Sequence, residues 1–436
     1  MGTFTKSSFW TVMSQGLIFF IGLGTSIIVA RMLNPEGKGI YVLAVLLPAL
    51  LPYFAHFGIG LAAVFYLGNG KYSPKLVLGN NVILAFLHSV FAILIGLMVI
   101  YFAGKRLFPG VDKRYLLISL LIVPSQLCLG LVLPILLGLG KIALYNLIQI
   151  LRAILLFGLV LFFLVGLDSG VMGAIVTEII ASLVVCFATL FIVLRHTNGI
   201  LLKLDRHYLK DAYSYGIILY FSYIFSILST RLNLLLINMY LNPYMVGLFT
   251  VGVGISEKVW LVADAVSTVL YQKVASEPDA ERRRMFTPLV FKAILLIVIV
   301  ICLVLYIFGE YLIVFLYSNA FREAVKPFRI LLVGVIGSSG WRMLQSDLMG
   351  RGKPAFVTFV AGFSFIVNIL LCLLLIPKNL LPGAAWAGAI SGIITLLVGV
   401  FIYRKISGNK MVELFFPQRS DLRTYRDVIF SLMPNR

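Results

Sequence analysis

The sequence predicts an all-α polytopic membrane protein, with 12 transmembrane helices in two parallel six-helix lobes around a central cavity. Three observations lead to this prediction. The 436 residues are 61% hydrophobic and 12% charged, with a mean hydropathy of +1.04, whereas a soluble domain carries about 25% charged residues. Long apolar runs recur along the whole chain, and three short phrases occur twice in the same order.

The apolar runs predict the individual spans. A helix needs roughly 20 apolar residues to cross the hydrocarbon core. A transmembrane barrel would instead show alternating segments of about ten residues, which continuous runs such as "AILLIVIVICLVLYIF" exclude. The predicted spans are 9–30, 40–66, 77–102, 115–137, 142–165, 171–194, 212–237, 245–271, 288–308, 324–348, 355–376 and 383–403.

Basic residues in the connections predict the orientation, because cytoplasmic connections carry the excess of Lys and Arg. Of the 36 Lys and Arg, 21 fall on the side of the termini and nine on the other side. Both termini are therefore expected in the cytoplasm. The same rule explains the net charge of +19 without nucleic acid, which we do not expect as a partner.

The first repeated phrase is Leu-Asn-Pro, three variable residues, Gly, an aliphatic residue and an aromatic residue. Each Asn is suited to an N-cap, each Pro to the first helical position, and each Gly to close helix packing. The phrase is thus expected to start a helix rather than to perform chemistry. Its residues are Asn34, Pro35 and Gly39 in the first copy and Asn242, Pro243 and Gly247 in the second.

Two further echoes, "GLGKIALYNL" with "GRGKPAFVTF" and Gly173-Ala174 with Gly383-Ala384, follow at nearly the same offset. They predict a duplicated six-span unit whose copies insert in the same orientation. The expected divisions are an N-terminal lobe at 1–203, a C-terminal lobe at 204–403 and a cytoplasmic tail at 404–436. Alternating apolar and charged groups in the tail predict an interfacial helix.

The phrases also carry a resemblance to a known family. "VARMLNPEGKGIYVLA", "HFGIGLAAVFYLG" and "RLNLLLINMYLNPYMVGLFTVG" resemble the polysaccharide transporter branch of the MOP (multidrug, oligosaccharidyl-lipid, polysaccharide) exporter superfamily. The resemblance implies a flippase for undecaprenyl-diphosphate-linked oligosaccharides, such as O-antigen or capsule repeat units, in the bacterial cytoplasmic (inner) membrane. Many members of this branch have an acidic residue where this chain has Asn233, which puts cation coupling at that position in doubt.

Charges within spans mark the expected site, because a charge in the membrane usually faces a cavity or a partner. Asn146, Gln149 and Arg152 form one polar stripe on the fifth span. Arg152 and Glu178 lie at similar heights on neighbouring spans, so an ion pair is plausible. The alternative is that Arg152 meets substrate phosphate.

We expect a basic cavity that binds the diphosphate-sugar headgroup, because the Arg guanidinium suits a diphosphate. The two lobes are expected to move so that the cavity opens alternately to each side of the membrane. The expected substrate-binding residues are Arg152, Arg231, Lys258 and Arg31, although Arg31 could also snorkel outward. Possible coupling or ion-pair residues are Glu178, Glu257, Asp264 and His88. For His88, as for His56, a hydrogen-bonded packing role is the stronger alternative.

Other charges lie closer to the ends of spans. Glu257 and Asp264 are seven positions apart and are therefore expected on one face of a helix, although Asp264, near the cytoplasmic end, could simply be solvated. Arg342 and Asp347 are expected near a membrane surface, where snorkelling accounts for such residues.

Other function classes fit less well. A peptidoglycan-precursor flippase and a cation-coupled multidrug exporter of the same superfamily are the alternatives, and the basic excess among buried charges argues against the exporter. No carboxylate cluster, phosphate loop or metal spacing is present, so neither an enzyme nor a cofactor is expected. The expected partners are the lipid-linked glycan and membrane lipids, with possible roles for a proton or sodium gradient and for polysaccharide polymerase machinery.

Overall fold

The computed structural model describes residues 2–415 of the chain, and every regular element in that range is helical. Within it, 8 helical stretches are long and apolar enough to cross a membrane. Two of them, Met13–Ala55 and Pro354–Ser407, bend once and supply two passes each. Arg206–Tyr240 and Val325–Gly350 have the length of spans but lie outside that apolar set. Together these helices give one pass for each predicted span, which confirms the fold class.

The outer surfaces of the passes are apolar. Phe102, Phe187 and Phe308 are 79%, 67% and 57% exposed, respectively. Extended apolar surfaces are rare on soluble monomers because they promote association in water. Exposed aromatic side chains on long apolar helices fit contact with lipid.

Packing divides the described chain into two compact units. The first comprises Met1–Leu248 and Val314–Phe321. Its most extensive helix contacts join α1 to α8 and α3 to α6. The helices that begin in it are α1 (Gly2–Ala55), α2 (Ile59–Gly68), α3 (Pro74–Met98), α4 (Gly104–Leu107), α5 (Lys113–Ser119), α6 (Ile122–Val132), α7 (Pro134–Gly138), α8 (Ile142–Val160), α9 (Gly170–His196), α10 (Arg206–Tyr240) and α11 (Pro243–Ser256).

The second unit comprises Phe249–Ile313 and the described residues from Arg322 onward. The contact between α14 and α15 is its most extensive. The helices that begin in it are α12 (Trp260–Ser276), α13 (Ala280–Tyr317), α14 (Val325–Gly350), α15 (Pro354–Ser407) and α16 (Met411–Phe415). This division differs from the predicted lobes at 1–203 and 204–403, because α10 packs against α2 of the first unit. The lobe boundaries therefore stay a prediction from the sequence repeat.

Both copies of the repeated phrase start a helical segment, as the sequence predicts. In the second copy, Asn242 Oδ1 accepts a hydrogen bond of 3.0 Å from the backbone N–H of Met245, which caps α11. In the first copy, the backbone of Asn34 leaves the helical region at φ 57° and ψ 176°. Asn tolerates positive φ better than most residues, so α1 bends here and continues from Pro35.

The glycines of the two copies pack against each other's segments. A Cβ at Gly39 would lie 1.8 Å from the carbonyl oxygen of Pro243. A Cβ at Gly247 would lie 1.9 Å from the carbonyl oxygen of Pro35. Only a residue without a side chain permits this backbone approach, which confirms the predicted packing role.

The second predicted span is not continuous, which corrects the expectation of one helix over 40–66. The chain breaks between α1 and α2, where Phe57 and Gly58 adopt φ of 45° and 72°. A Cβ at Gly58 would lie 2.4 Å from the carbonyl oxygen of Gly216 on α10. Tyr220 donates a hydrogen bond of 2.7 Å to the carbonyl of Phe54, which satisfies part of the backbone that the break exposes.

The tail is described only at its beginning. α15 ends at Ser407, Gly408 adopts φ 75°, and the short α16 follows. The predicted interfacial helix lies mostly outside the described residues.

Candidate substrate-binding site

The polar stripe on α8 forms as predicted, but its members have different partners. Asn146 is 4% exposed and donates a hydrogen bond of 3.0 Å from Nδ2 to Thr11 Oγ1 on α1. Gln149 donates a weaker one of 3.4 Å to the hydroxyl of Tyr145. Asn146 therefore joins two helices, and Arg152 is the member of the stripe that carries charge.

Arg152 and Glu178 lie together, as their heights on neighbouring spans predict. One terminal amino group of Arg152 is 4.0 Å from Glu178 Oε2, and the two side chains are 33% and 22% exposed. Tyr41 donates a hydrogen bond of 3.1 Å to the other carboxylate oxygen, Oε1. The pair is held at the outer limit of an ion-pair contact, between helices α8 and α9.

The guanidinium of Arg152 is incompletely satisfied. Its Nε is buried and has no hydrogen-bond partner among the described residues. A buried donor without a partner destabilises a protein by about 1–3 kcal/mol, and native structures usually avoid it. With one donor unused and one carboxylate contact stretched, Arg152 can accept an anionic ligand without first losing a strong internal bond.

Arg31, expected to bind substrate, is engaged elsewhere in the first unit. Its Nε donates a hydrogen bond of 2.9 Å to the carbonyl of Leu316, and its amino group donates to the carbonyl of Phe315. These carbonyls end α13, where the unsatisfied acceptors and the helix dipole favour a cation. Arg31 therefore acts as a C-terminal cap, a role that no local sequence pattern indicates.

Lys38, which lies between the first two predicted spans, is buried. It is 5% exposed, and its Nζ lies 5.0 Å from the ring centroid of Tyr317 and 5.8 Å from that of Phe321. Its hydrogen bond to Ser26 is long, at 3.4 Å. The residue is thus a buried cation between aromatic rings, and its neighbours at 317 and 321 are too distant in sequence to be predicted.

The other two cations expected to bind substrate lie on different helical elements, one in each unit. Arg231 is exposed on α10, and Asn233 beside it is 8% exposed. Lys258 is exposed and Glu257 half-buried on a 3-10 turn, Glu257–Val259, which separates α11 from α12. This turn interrupts the regular spacing on which the expected common face of Glu257 and Asp264 rested.

Asp264 is paired, although its position near a span end suggested a solvated carboxylate. It accepts a hydrogen bond from Arg342 of α14. The guanidinium of Arg342 also lies 4.5 Å from the ring centroid of Trp260. This contact replaces the snorkelling expected for Arg342 and joins α12 to α14.

Both histidines lie beside the break between α1 and α2. His88 Nε2 forms a hydrogen bond of 2.8 Å with the hydroxyl of Tyr213, and its ring contacts Phe57 edge-on at 5.5 Å. His56 Nδ1 accepts a hydrogen bond of 2.9 Å from the N–H of Gly58. These contacts match the packing alternative stated for both residues.

A buried cluster in the second unit was missed, since Asp347 was expected to be near the membrane surface. Asp347 is 0% exposed and accepts hydrogen bonds from Arg351 and from Thr287. Its proximity to a helix end concealed its burial against α13. Among the described residues, no three His, Cys, Asp or Glu side chains lie together as metal ligands.

The chain is similar to a known protein family and to a curated relative. The profile of the family described as "Polysaccharide biosynthesis protein" matches residues 4–271. A curated relative, an uncharacterized membrane protein of Methanocaldococcus jannaschii, is 25% identical over 162 residues, which are 37% of this chain and 38% of that protein. The chain therefore matches well under half the length of that relative.

Solved structures give the fold. An inward-facing multidrug resistance transporter of the MATE family and MOP superfamily aligns with a TM-score of 0.76 at 15% identity, covering 90% of this chain and 94% of that one. The lipid II flippase MurJ, in an inward closed conformation, aligns with a TM-score of 0.75 at 15% identity, covering 98% and 93%. The protein thus has the MOP-type fold.

Proposed function

Because the chain belongs to the polysaccharide biosynthesis protein family and has the fold of MOP transporters, we propose that it is a flippase for undecaprenyl-diphosphate-linked oligosaccharides. It would move the headgroup from the cytoplasmic to the outer leaflet by alternating access while the polyprenyl tail stays in lipid. The bacterial cytoplasmic membrane, with both termini in the cytoplasm, is the location that fits the distribution of Lys and Arg.

The observation that carries this proposal is the unsatisfied Arg152. Its permanent charge and planar set of donors match a diphosphate, which accepts paired hydrogen bonds. The contact with Glu178 at 4.0 Å is long enough to yield to a phosphate oxygen. Glu178 would remain held by Tyr41, so the site keeps its shape when the ligand enters.

The other residues predicted to bind substrate differ in how strongly the structure supports that role. Arg231, exposed on α10, has an accessible guanidinium for phosphate or sugar. Lys258 remains a candidate for phosphate contact on its turn. Arg31 is a weaker candidate, because capping α13 occupies its donors.

Coupling to an ion gradient would use a carboxylate or an imidazole. Glu178 is the strongest candidate, since its carboxylate already lies 4.0 Å from the guanidinium of Arg152. Glu257 and Asp264 carry the same chemistry, but Asp264 is paired with Arg342. His88 offers an imidazole whose Nε2 is hydrogen-bonded to the hydroxyl of Tyr213.

The test is reconstitution of the purified protein in liposomes. A polyprenyl-diphosphate oligosaccharide, the lipid-linked peptidoglycan precursor and a polyprenyl monophosphate sugar are offered separately, with and without a proton or sodium gradient. We expect movement of the first between leaflets, and a slower rate for the monophosphate. Preference for the peptidoglycan precursor would reassign the substrate, and absence of movement under every gradient would refute the flippase.

A further inference from the structure

A pocket of about 780 Å³ is lined by residues of the second unit alone. It is bounded by α13, by the 3-10 turn Asn319–Ala324, and by the first turns of α14. Trp386 of α15 forms another part of its wall. The distribution of basic residues places this end of the helices on the outer side of the membrane.

The charged side chains that line the pocket differ in how far other protein groups already bind them. Arg322 forms an ion pair with Glu310 at 2.7 Å. Arg329 donates a hydrogen bond of 3.1 Å from Nε to the carbonyl of Tyr306, and its guanidinium lies 5.2 Å from that ring centroid. This contact fixes the direction of Arg329 and leaves its two terminal amino groups available.

Lys326 is the second available cation. It is exposed at the first turn of α14 and forms no hydrogen bond or ion pair with another described residue. Lys326 and Arg329 are three positions apart and therefore share one face of the helix. Their position at a helix N-terminus adds the favourable field of the helix dipole for an anion.

The other walls indicate what kind of anion fits. Val333 and Trp386 are 43% and 44% exposed, so an apolar surface adjoins the two cations. Trp residues at the membrane interface contact both headgroups and acyl chains. A free phosphate would use only the charged part of this pocket, whereas a phospholipid would use both.

We propose that this pocket binds the phosphate of an anionic membrane lipid through Lys326 and Arg329, with the adjoining chain against Val333 and Trp386. Glu323 also lines the pocket and can accept hydrogen bonds from hydroxyl groups of the headgroup. With Arg322 and Glu310 neutralised by each other, the two cations and Glu323 leave one net positive charge. This balance favours phosphatidylglycerol over a zwitterionic lipid.

The test is native mass spectrometry of the full chain in detergent, titrated separately with phosphatidylglycerol, phosphatidylethanolamine and inorganic phosphate. The double variant Lys326→Gln/Arg329→Gln removes both cations. Lys113→Gln/Arg114→Gln removes the same charge on the same predicted side of the membrane, from residues that do not line the pocket. If the double variant does not fold, Lys326→Gln alone is tested in its place, because it retains the contact between Arg329 and Tyr306.

We expect the affinity for phosphatidylglycerol to fall about tenfold in the pocket double variant, and by a smaller factor in Lys326→Gln, because each basic residue attracts an anionic headgroup. The control variant should keep its affinity. Equal losses in pocket and control variants would overturn the site. Stronger binding of phosphatidylethanolamine would overturn the anionic lipid, and displacement of lipid by millimolar inorganic phosphate would assign a free-phosphate site instead.

Discussion

Two pairs of opposite charge, one in each unit, differ in how completely the surrounding protein satisfies them. Asp347 and Arg351 are 0% and 10% exposed, and Thr287 donates a further hydrogen bond to the carboxylate. Arg152 and Glu178 are 33% and 22% exposed and lie 4.0 Å apart. The dry, fully bonded pair stabilises the fold, whereas the open pair keeps hydrogen-bonding capacity for a ligand.

The difference has a physical origin in desolvation. Removing charges from water is unfavourable, and only good geometry with additional hydrogen bonds offsets it. Asp347 has those bonds, so its loss leaves Arg351 buried and uncompensated. Glu178 and Arg152 are both partly exposed, so removal of Glu178 does not leave Arg152 fully enclosed by protein.

The largest expected effect is therefore on the dry pair. Asp347→Ala should destabilise the protein by about 3–5 kcal/mol, the usual result of removing one partner of a buried pair. A thermal melt in detergent measures the change. A melting temperature equal to that of the wild type would show that the pair of Asp347 and Arg351 does not stabilise the fold.

Removal of the third member of that cluster should have a smaller effect. Thr287→Val keeps the volume of the side chain but takes away the hydroxyl that bonds Asp347. We expect a loss of about 1.5–3 kcal/mol, typical of a hydrogen bond to a charged group. Thr11→Val, which removes a neutral contact to Asn146, is the matched control and should lose less.

A substitution in the open pair, Arg152 and Glu178, should affect transport more than stability. Glu178→Gln should change stability by less than about 1 kcal/mol, because partly exposed pairs contribute little. It should slow or abolish ion-coupled leaflet movement if Glu178 takes up the coupling proton. Unchanged gradient dependence in liposomes would remove Glu178 from coupling and leave it as a partner of Arg152 alone.

A third pair, at the membrane surface, should matter least. The hydrogen bond from Lys71, followed by that from Tyr72, lowers the pKa of Asp211 below its ordinary value of 3.8. The resulting stabilisation is present above that ordinary pKa and is lost as the pH falls through the lower folded value. Asp211→Asn should thus melt slightly below the wild type at neutral pH and equally in strong acid, and a constant difference at both pH values would contradict this.

The sequence predicts some parts of this account and misses others for definite reasons. The spans follow from apolar length, and the pair of Arg152 with Glu178 follows from helix rise on neighbouring spans. The capping of α13 by Arg31 joins residues 285 positions apart, which no local pattern indicates. The break at Phe57 and Gly58 depends on close packing against Gly216 of α10, and the burial of Asp347 depends on α13. These features come from tertiary contacts.

The central claim is that the open pair provides an arginine for the substrate diphosphate. The most direct measurement compares Arg152→Gln with the wild type for leaflet movement of a polyprenyl-diphosphate oligosaccharide in liposomes, with thermal melts of both. We expect a loss of transport of about tenfold or more, as for removal of a charge-assisted contact, with the melting temperature nearly unchanged. Wild-type transport by Arg152→Gln would contradict the assignment.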